Sequence, residues 1–127
     1  MSRIRGRDTK PELALRTALY KRGLRYRLCR RDLPGAPDIV FMGKKLAVQV
    51  RGCFWHQHPG CRHARIPASN TDYWRPKLAR TVERDRQNDD ALTEMGWLVI
   101  VVWECDLKID GAADAIAAEI DREASRR

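Results

Sequence analysis

Apolar positions along the chain recur with two periods, and they divide it into seven elements. "TKPE" opens a helix: Thr9 caps it, Pro11 suits the first turn and Glu12 completes a capping box. Leu15, Ala18 and Leu19 form its apolar stripe, and Gly23 followed by Leu24 closes it. "LRYRLC" alternates and predicts a strand, and "LPGAP" is a turn. "DIVF" and "LAVQV" predict two strands of a hairpin that turns across Met42–Lys44 through Gly43. A loop, "QVRGCFWHQHPGC", and a polar irregular stretch, "RIPASNTD", come next. A long helix is predicted from about Tyr73 to Met95 and stopped by Gly96, with Trp74, Leu78, Val82, Leu92 and Met95 roughly on one face. "WLVIVVW" predicts a strand buried on both faces. A C-terminal helix covers about 111–127. The order α-β-β-β-α-β-α predicts a mixed sheet flanked by helices.

At 127 residues, without repeats or low-complexity segments, the expected organisation is one domain, 1–127, with a basic N-terminal arm over about 1–8. The net charge of +8 changes the picture. With a pI near 9.8 it points to a polyanionic partner, nucleic acid before a membrane surface. No apolar run is long enough to span a bilayer and "MSRIRGRDTK" has no apolar signal core, so a cytoplasmic protein is expected. Four cysteines in a reducing compartment favour metal binding or free thiols over disulfides.

The loop carries candidate chemistry. Cys53, His58 and Cys61 have the spacing C-x4-H-x2-C, and Cys105 follows the last strand. Such a set would make a closed tetrahedral zinc site tying the loop to the end of the sheet. Alternatively Cys53 and Cys105 are small core residues and His58 is solvated. His63 competes as a ligand, and Cys29 is left over as a buried strand residue. A second pattern lies beside the loop. Asp38 opens one hairpin strand, and Gln49 and Arg51 share a face of the next, with Val50 between. An acid followed across a hairpin by a polar-x-cation step is the arrangement of PD-(D/E)xK nucleases, where a carboxylate holds Mg²⁺ and a cation stabilises the phosphorane. Gln49 stands where the second acid would be and Arg51 where the lysine would be.

In order along the chain, "DTKPE", "LPGAPDIVF", "GCFWHQHPGC", "TDYWRPK", "ERDRQND" and "MGWLVIVVWEC" closely resemble the very-short-patch-repair (Vsr) mismatch endonucleases, over roughly residues 3–107. The resemblance implies a restriction-endonuclease-like fold, a structural zinc and a Mg²⁺-dependent site. It implies nicking of one DNA strand 5′ to the thymine of a T·G mismatch left by deamination of 5-methylcytosine. By the same resemblance, Asp38 and the main-chain carbonyl of Val50 hold Mg²⁺, His56 is catalytic and Asp85 orients it. Glu12 approaches the metal through water, or serves the capping box, or both. Cys53, His58, Cys61 and Cys105 are the zinc ligands. Phe54, Trp55 and Trp74 wedge into the base stack, the alternative being a small core that anchors the loop.

Three departures bear on specificity. The family often has histidine before "GCFW", and here it is Arg51, which cannot exchange protons near neutrality but can stabilise a charged phosphate. The chain begins almost at its first helix, so a DNA-clasping N-terminal extension is not expected. "QHPGC" carries one residue more than some relatives have. Arg3, Arg5, Arg7 and Lys10 are expected on phosphate, or else solvated, while Arg62, Arg65, Arg75, Lys77, Arg80 and Arg84 flank the loop and the long helix. The expected enzyme is a monomer acting on duplex DNA, with repair-pathway or methyltransferase-linked proteins as candidate partners. The alternatives are a nicking nuclease of a restriction or defence system without a mismatch requirement, and a catalytically weak DNA-binding zinc module.

Overall fold

The computed structural model describes residues 9–127, so Arg3, Arg5 and Arg7 of the basic arm lie outside the described residues. Four helices and four strands follow one another: α1 (Lys10–Lys21), β1 (Arg27–Leu28), β2 (Ile39–Phe41), β3 (Leu46–Arg51), α2 (Thr71–Glu94), β4 (Leu98–Trp103), α3 (Glu104–Leu107) and α4 (Ala112–Ser125). Short 3-10 turns at Met42–Lys44 and Arg62–Ala64 lie between them. The sheet order is β1-β2-β3-β4, antiparallel except for the parallel β3–β4 pair, whose crossover contains the loop and α2. Among the described residues no helix is long and apolar enough to cross a membrane.

Alternation along the strands sorts side chains to two faces. Ile39, Phe41, Leu46, Val48, Val50 and Val102 pack against Leu15 and Leu19 of α1 and Ala117 and Ile120 of α4. Val40 and Ala47 pack on the other face with Leu33, Trp97 and Leu92 of α2. That parity puts Asp38, Gln49 and Arg51 on the α2 face. The larger core therefore lies on one side of the sheet, and Asp38, Gln49 and Arg51 lie on the other.

The hairpin forms as predicted, but its left-handed residue is Lys45 (φ 52°), after the 3-10 turn, and not Gly43. "LRYRLC" yields only two strand residues. Cys29 turns to φ 50°, donates its N–H to the Asp38 carbonyl and is half-exposed, so the expected buried strand cysteine is corrected. β4 is an edge strand with only Val102 buried, not a strand enclosed on both faces, because it pairs with β3 alone.

The predicted stripe of α2 also differs. The helix begins two residues early, at Thr71, and Val82 (42% exposed) and Met95 (47%) face solvent. Leu78 and Leu92 are the buried pair. Between them the inward positions, at helical spacing, carry Asp85, Asn88 and Asp89, all half-buried. The stripe that grips the sheet turns polar where it crosses the ends of β2 and β3.

Candidate active site and metal centre

Beneath that polar stretch lies a cleft of about 190 Å³. Asp38, Gln49, Val50, Arg51, His56 and Asp85 all line it, so six residues singled out in the sequence share one cavity. Gly35 permits this closeness. It holds φ 76°, and a Cβ there would meet the Asn88 Cβ at 3.0 Å, so the "LPGAP" turn can lie against α2.

The register that pairs Ile39 with Val48 brings Asp38 to the level of Gln49. The Val50 N–H donates to Asp38 Oδ2 at 2.7 Å, which leaves Oδ1 for another partner. Burial pushes the Asp38 carboxyl up to about 7; the Val50 N–H opposes that rise, the Glu12 carboxylate adds to it, and Arg51 and Arg16 oppose it. A half-buried carboxylate poised near neutrality, with one oxygen uncommitted, is a donor of the hard type that Mg²⁺ takes. Gln49, almost fully buried, offers a neutral carbonyl where a second acid would add charge.

Glu12 is 2% exposed and sits within electrostatic reach of Asp38. Its N–H donates to Thr9 Oγ1 at 3.4 Å, so the helix cap is present as well. Both readings of Glu12 remain compatible with its position. The main chain enters the loop through a turn closed by the His56 N–H on the Gly52 carbonyl, 3.1 Å. His56 Nδ1 lies 2.6 Å from Asp85 Oδ2. A carboxylate accepting from Nδ1–H keeps the other nitrogen, Nε2, as the one able to exchange a proton.

Arg51 does not stand alone. Its Nη2 donates to Asp89 Oδ1 at 2.8 Å and to Oδ2 at 2.9 Å. Asp89 and Asn88 were not anticipated. The signal that could have found them is the polar break at inward positions between Leu78 and Leu92.

A second centre joins the loop to Cys105 of α3. One ligand atom each from Cys53, His58, Cys61 and Cys105 falls within 4.8 Å of the others. Cys105 Sγ and His58 Nδ1 are 3.4 Å apart, close to the edge of about 3.6 Å expected for a tetrahedron with zinc bond lengths. Burial, with the neighbouring Cys53 and Cys61 thiols, pushes Cys105 up to about 12. Cys61 goes the other way: burial is outweighed by main-chain N–H groups and the adjacent thiols. Sulfurs this close cannot all ionise without a cation, so the donor set fits a soft divalent metal. His63 is not part of the quartet. Two hydrogen bonds shape the loop around it: Gln57 Nε2 donates to the carbonyls of Phe54 (2.7 Å) and Ala64 (3.0 Å). The His58 ring stacks on Trp103, centroids 4.2 Å apart, which ties the loop to the end of β4.

Phe54, Trp55 and Trp74 form a mutual cluster with centroids 5.2 to 5.8 Å apart, all three half-buried. Tyr73 extends it, 5.0 Å from Trp74 and 58% exposed. The rings anchor one another and still present surface. Lys10, at the start of α1, is exposed.

Residues 1–62 match the family model described as DNA mismatch endonuclease Vsr. A type II nicking enzyme of Xanthomonas oryzae pv. oryzae, V.XorIIP, is 48% identical over 115 residues, 91% of this chain and 84% of the relative. The type II nicking enzyme V.NaeI of Lentzea aerocolonigenes is 48% identical across 95% of this chain and 72% of its own length. The DNA mismatch endonuclease Vsr of Escherichia coli K12 is 41% identical across 85% of this chain and 69% of its own.

Proposed function

The chain belongs to the Vsr DNA mismatch endonuclease family, and from that premise we propose that it nicks one strand of duplex DNA 5′ to the thymine of a T·G mismatch, the product of 5-methylcytosine deamination. The observation that carries this reading is the meeting of Asp38, the Val50 peptide and the His56–Asp85 pair in one cleft. We take residues 1–127 as a single domain of the PD-(D/E)xK type, acting as a monomer.

Asp38 Oδ1 and the Val50 carbonyl would hold Mg²⁺, with Glu12 reaching it through water. When bound, that ion supplies Lewis-acid polarisation of the phosphate and a more acidic attached water. The residues do the rest. The Val50 N–H fixes the Asp38 carboxylate in place. Asp85 holds the His56 ring in one tautomer, so that Nε2 can take up or donate a proton at the attacked phosphate. Arg51 meets the charge that grows on the phosphate oxygens. Phe54, Trp55 and Trp74 enter the stack beside the mispair, where unstacking costs least. Zinc at Cys53, His58, Cys61 and Cys105 would hold the loop that carries His56, Phe54 and Trp55. Arg3, Arg5 and Lys10 grip the backbone.

A second reading is a nicking nuclease linked to restriction or defence, without mismatch dependence. It is favoured by the names of the relatives from Xanthomonas oryzae and Lentzea aerocolonigenes, both type II nicking enzymes. One assay separates them: nicking of duplexes identical except for a T·G or a C·G pair, with Mg²⁺ present or omitted. Mg²⁺-dependent nicking confined to the T·G duplex is expected. Equal nicking of both would establish the second reading, and binding without nicking would leave a DNA-binding module.

A further inference from the structure

Asp85 and Asp89 stand one helical turn apart on the inward face of α2, and each holds one nitrogen-bearing side chain of the cleft. Asp85 holds His56. Asp89 holds Arg51 through two contacts to a single nitrogen, Nη2, at 2.8 and 2.9 Å. In both pairs a carboxylate of α2 holds a nitrogen-bearing side chain that lines the cleft; Asp85 lines the cleft as well, and Asp89 does not.

The geometry of the second pair is informative. The Arg51 side chain is 11% exposed and Asp89 25% exposed, so the pair is sheltered and weakly screened. A guanidinium has five N–H donors on Nε, Nη1 and Nη2. Among the described residues only Nη2 is engaged, and no acceptor meets Nε or Nη1. A sheltered arginine with donors beyond its Asp89 pair lines a cleft with Asp38, Val50 and His56, and such donors can meet an anion there.

We propose that Asp89 is a positioning residue for this reaction: it fixes the Arg51 guanidinium by Nη2 so that a donor outside the pair, on Nε or Nη1, is held ready for the scissile phosphate. The proposal rests on the endonuclease reading above and extends it to a residue outside the catalytic set. Its physical content is preorganisation. A free arginine side chain loses substantial rotamer entropy when it closes on phosphate, whereas one held in advance has already lost it. Full neutralisation is not the result, because the pair leaves the phosphate-facing N–H dipoles intact. The Asp89 charge does weaken attraction to DNA in the ground state. Positioning therefore predicts a split: loss of Asp89 harms the chemical step without harming binding.

The test is single-turnover nicking of a T·G duplex at saturating protein, with DNA affinity measured in parallel. The chains compared are wild type, Asp89→Ala, Asp89→Asn, Asp89→Glu, Arg51→Ala and the double variant Arg51→Ala/Asp89→Ala. Asp89→Ala should slow the nicking rate on the order of 10- to 100-fold, as expected for a displaced charged group, with affinity unchanged or tighter. Asp89→Glu should recover part of the rate. In the Arg51→Ala background, Asp89→Ala should change nothing further, since Asp89 acts through Arg51. Equal slowing by Asp89→Ala in both backgrounds would overturn the proposal, as would faster nicking, which would make Asp89 a clamp that withholds Arg51. Asp89→Asn keeps the shape and one acceptor, and it serves as the readout if the alanine variant melts early. A wild-type chain that nicks no duplex refutes the endonuclease reading itself. An active wild type with additive variants refutes only the role of Asp89.

Discussion

The Val50 amide donates to the Asp38 carboxylate across the open end of the β2–β3 hairpin, at 2.7 Å. The bond joins residues twelve positions apart and holds a carboxylate in a half-buried place where burial lifts it to about 7. The consequence for stability has a definite sign. A carboxyl raised from about 4 in the unfolded chain favours folding most when protonated in both states, below pH 4. That contribution is lost as pH rises through about 7. The metal-free protein should therefore lose stability from this group between pH 4 and 7, on the order of 4 kcal/mol at about 1.4 kcal/mol per pH unit. Asp38→Asn keeps an acceptor for Val50 and does not titrate. The stability difference between the two chains, from urea unfolding at several pH values, should follow this curve. A flat difference would contradict it.

The same protonation links to metal binding. A divalent cation that needs the Asp38 carboxylate must displace its proton. Apparent Mg²⁺ affinity should rise about tenfold per pH unit below 7 and level off above it. Titration calorimetry in buffers of different ionisation enthalpy would register about one proton released per ion at pH 6. No proton release would remove Asp38 from the metal site.

The Cys53–His58–Cys61–Cys105 quartet should carry about one zinc per chain. Cys105→Ala should abolish that stoichiometry and lower the melting temperature by well over the few degrees of an ordinary surface change. It should also loosen the Phe54–Trp55–Trp74 cluster, visible as a red-shifted tryptophan emission. Well-folded protein without metal by elemental analysis would end this reading.

For the His56–Asp85 pair, single-turnover nicking should fall about 10²-fold or more in His56→Ala, in the range of a lost general acid or base. Asp85→Asn should fall less, because the amide keeps the shape but can turn its NH2 to Nδ1 and so release the His56 tautomer. An Asp85→Asn enzyme with the wild-type rate would show that the pair does not govern proton transfer.

For the aromatic cluster, Trp55→Ala should weaken binding to a T·G duplex by roughly 10- to 100-fold, the value of a lost stacked ring, and weaken matched-duplex binding less. Quenching of tryptophan emission on adding DNA should shrink in step. Equal losses on both duplexes would assign the rings to anchoring the loop.

Much of this protein was legible along the chain, because the signals were local or carried by strict spacing. Thr9 and Pro11 mark α1, the alternation in "LAVQV" marks β3, and C-x4-H-x2-C places three soft donors within one loop whatever the rest of the chain does. The resemblance in "GCFWH" and "ERD" paired His56 with Asp85 across 29 positions, and the two do meet. What depended on packing could not be read there. β4 looks buried because its composition is apolar, yet exposure follows from its place at the sheet edge, and sheet order is a long-range property. Apolar spacing along α2 points Val82 and Met95 inward and passes over Asp89, whereas Val82 and Met95 are exposed and Asp89 is half-buried. Only the crossing of α2 over the ends of β2 and β3 decides that inward positions there should be polar. The role of Arg51 shows the same division. Its identity and its departure from the family's histidine are written in the sequence. That its guanidinium is held by Asp89, 38 residues later, follows from two elements packing at one distance and angle.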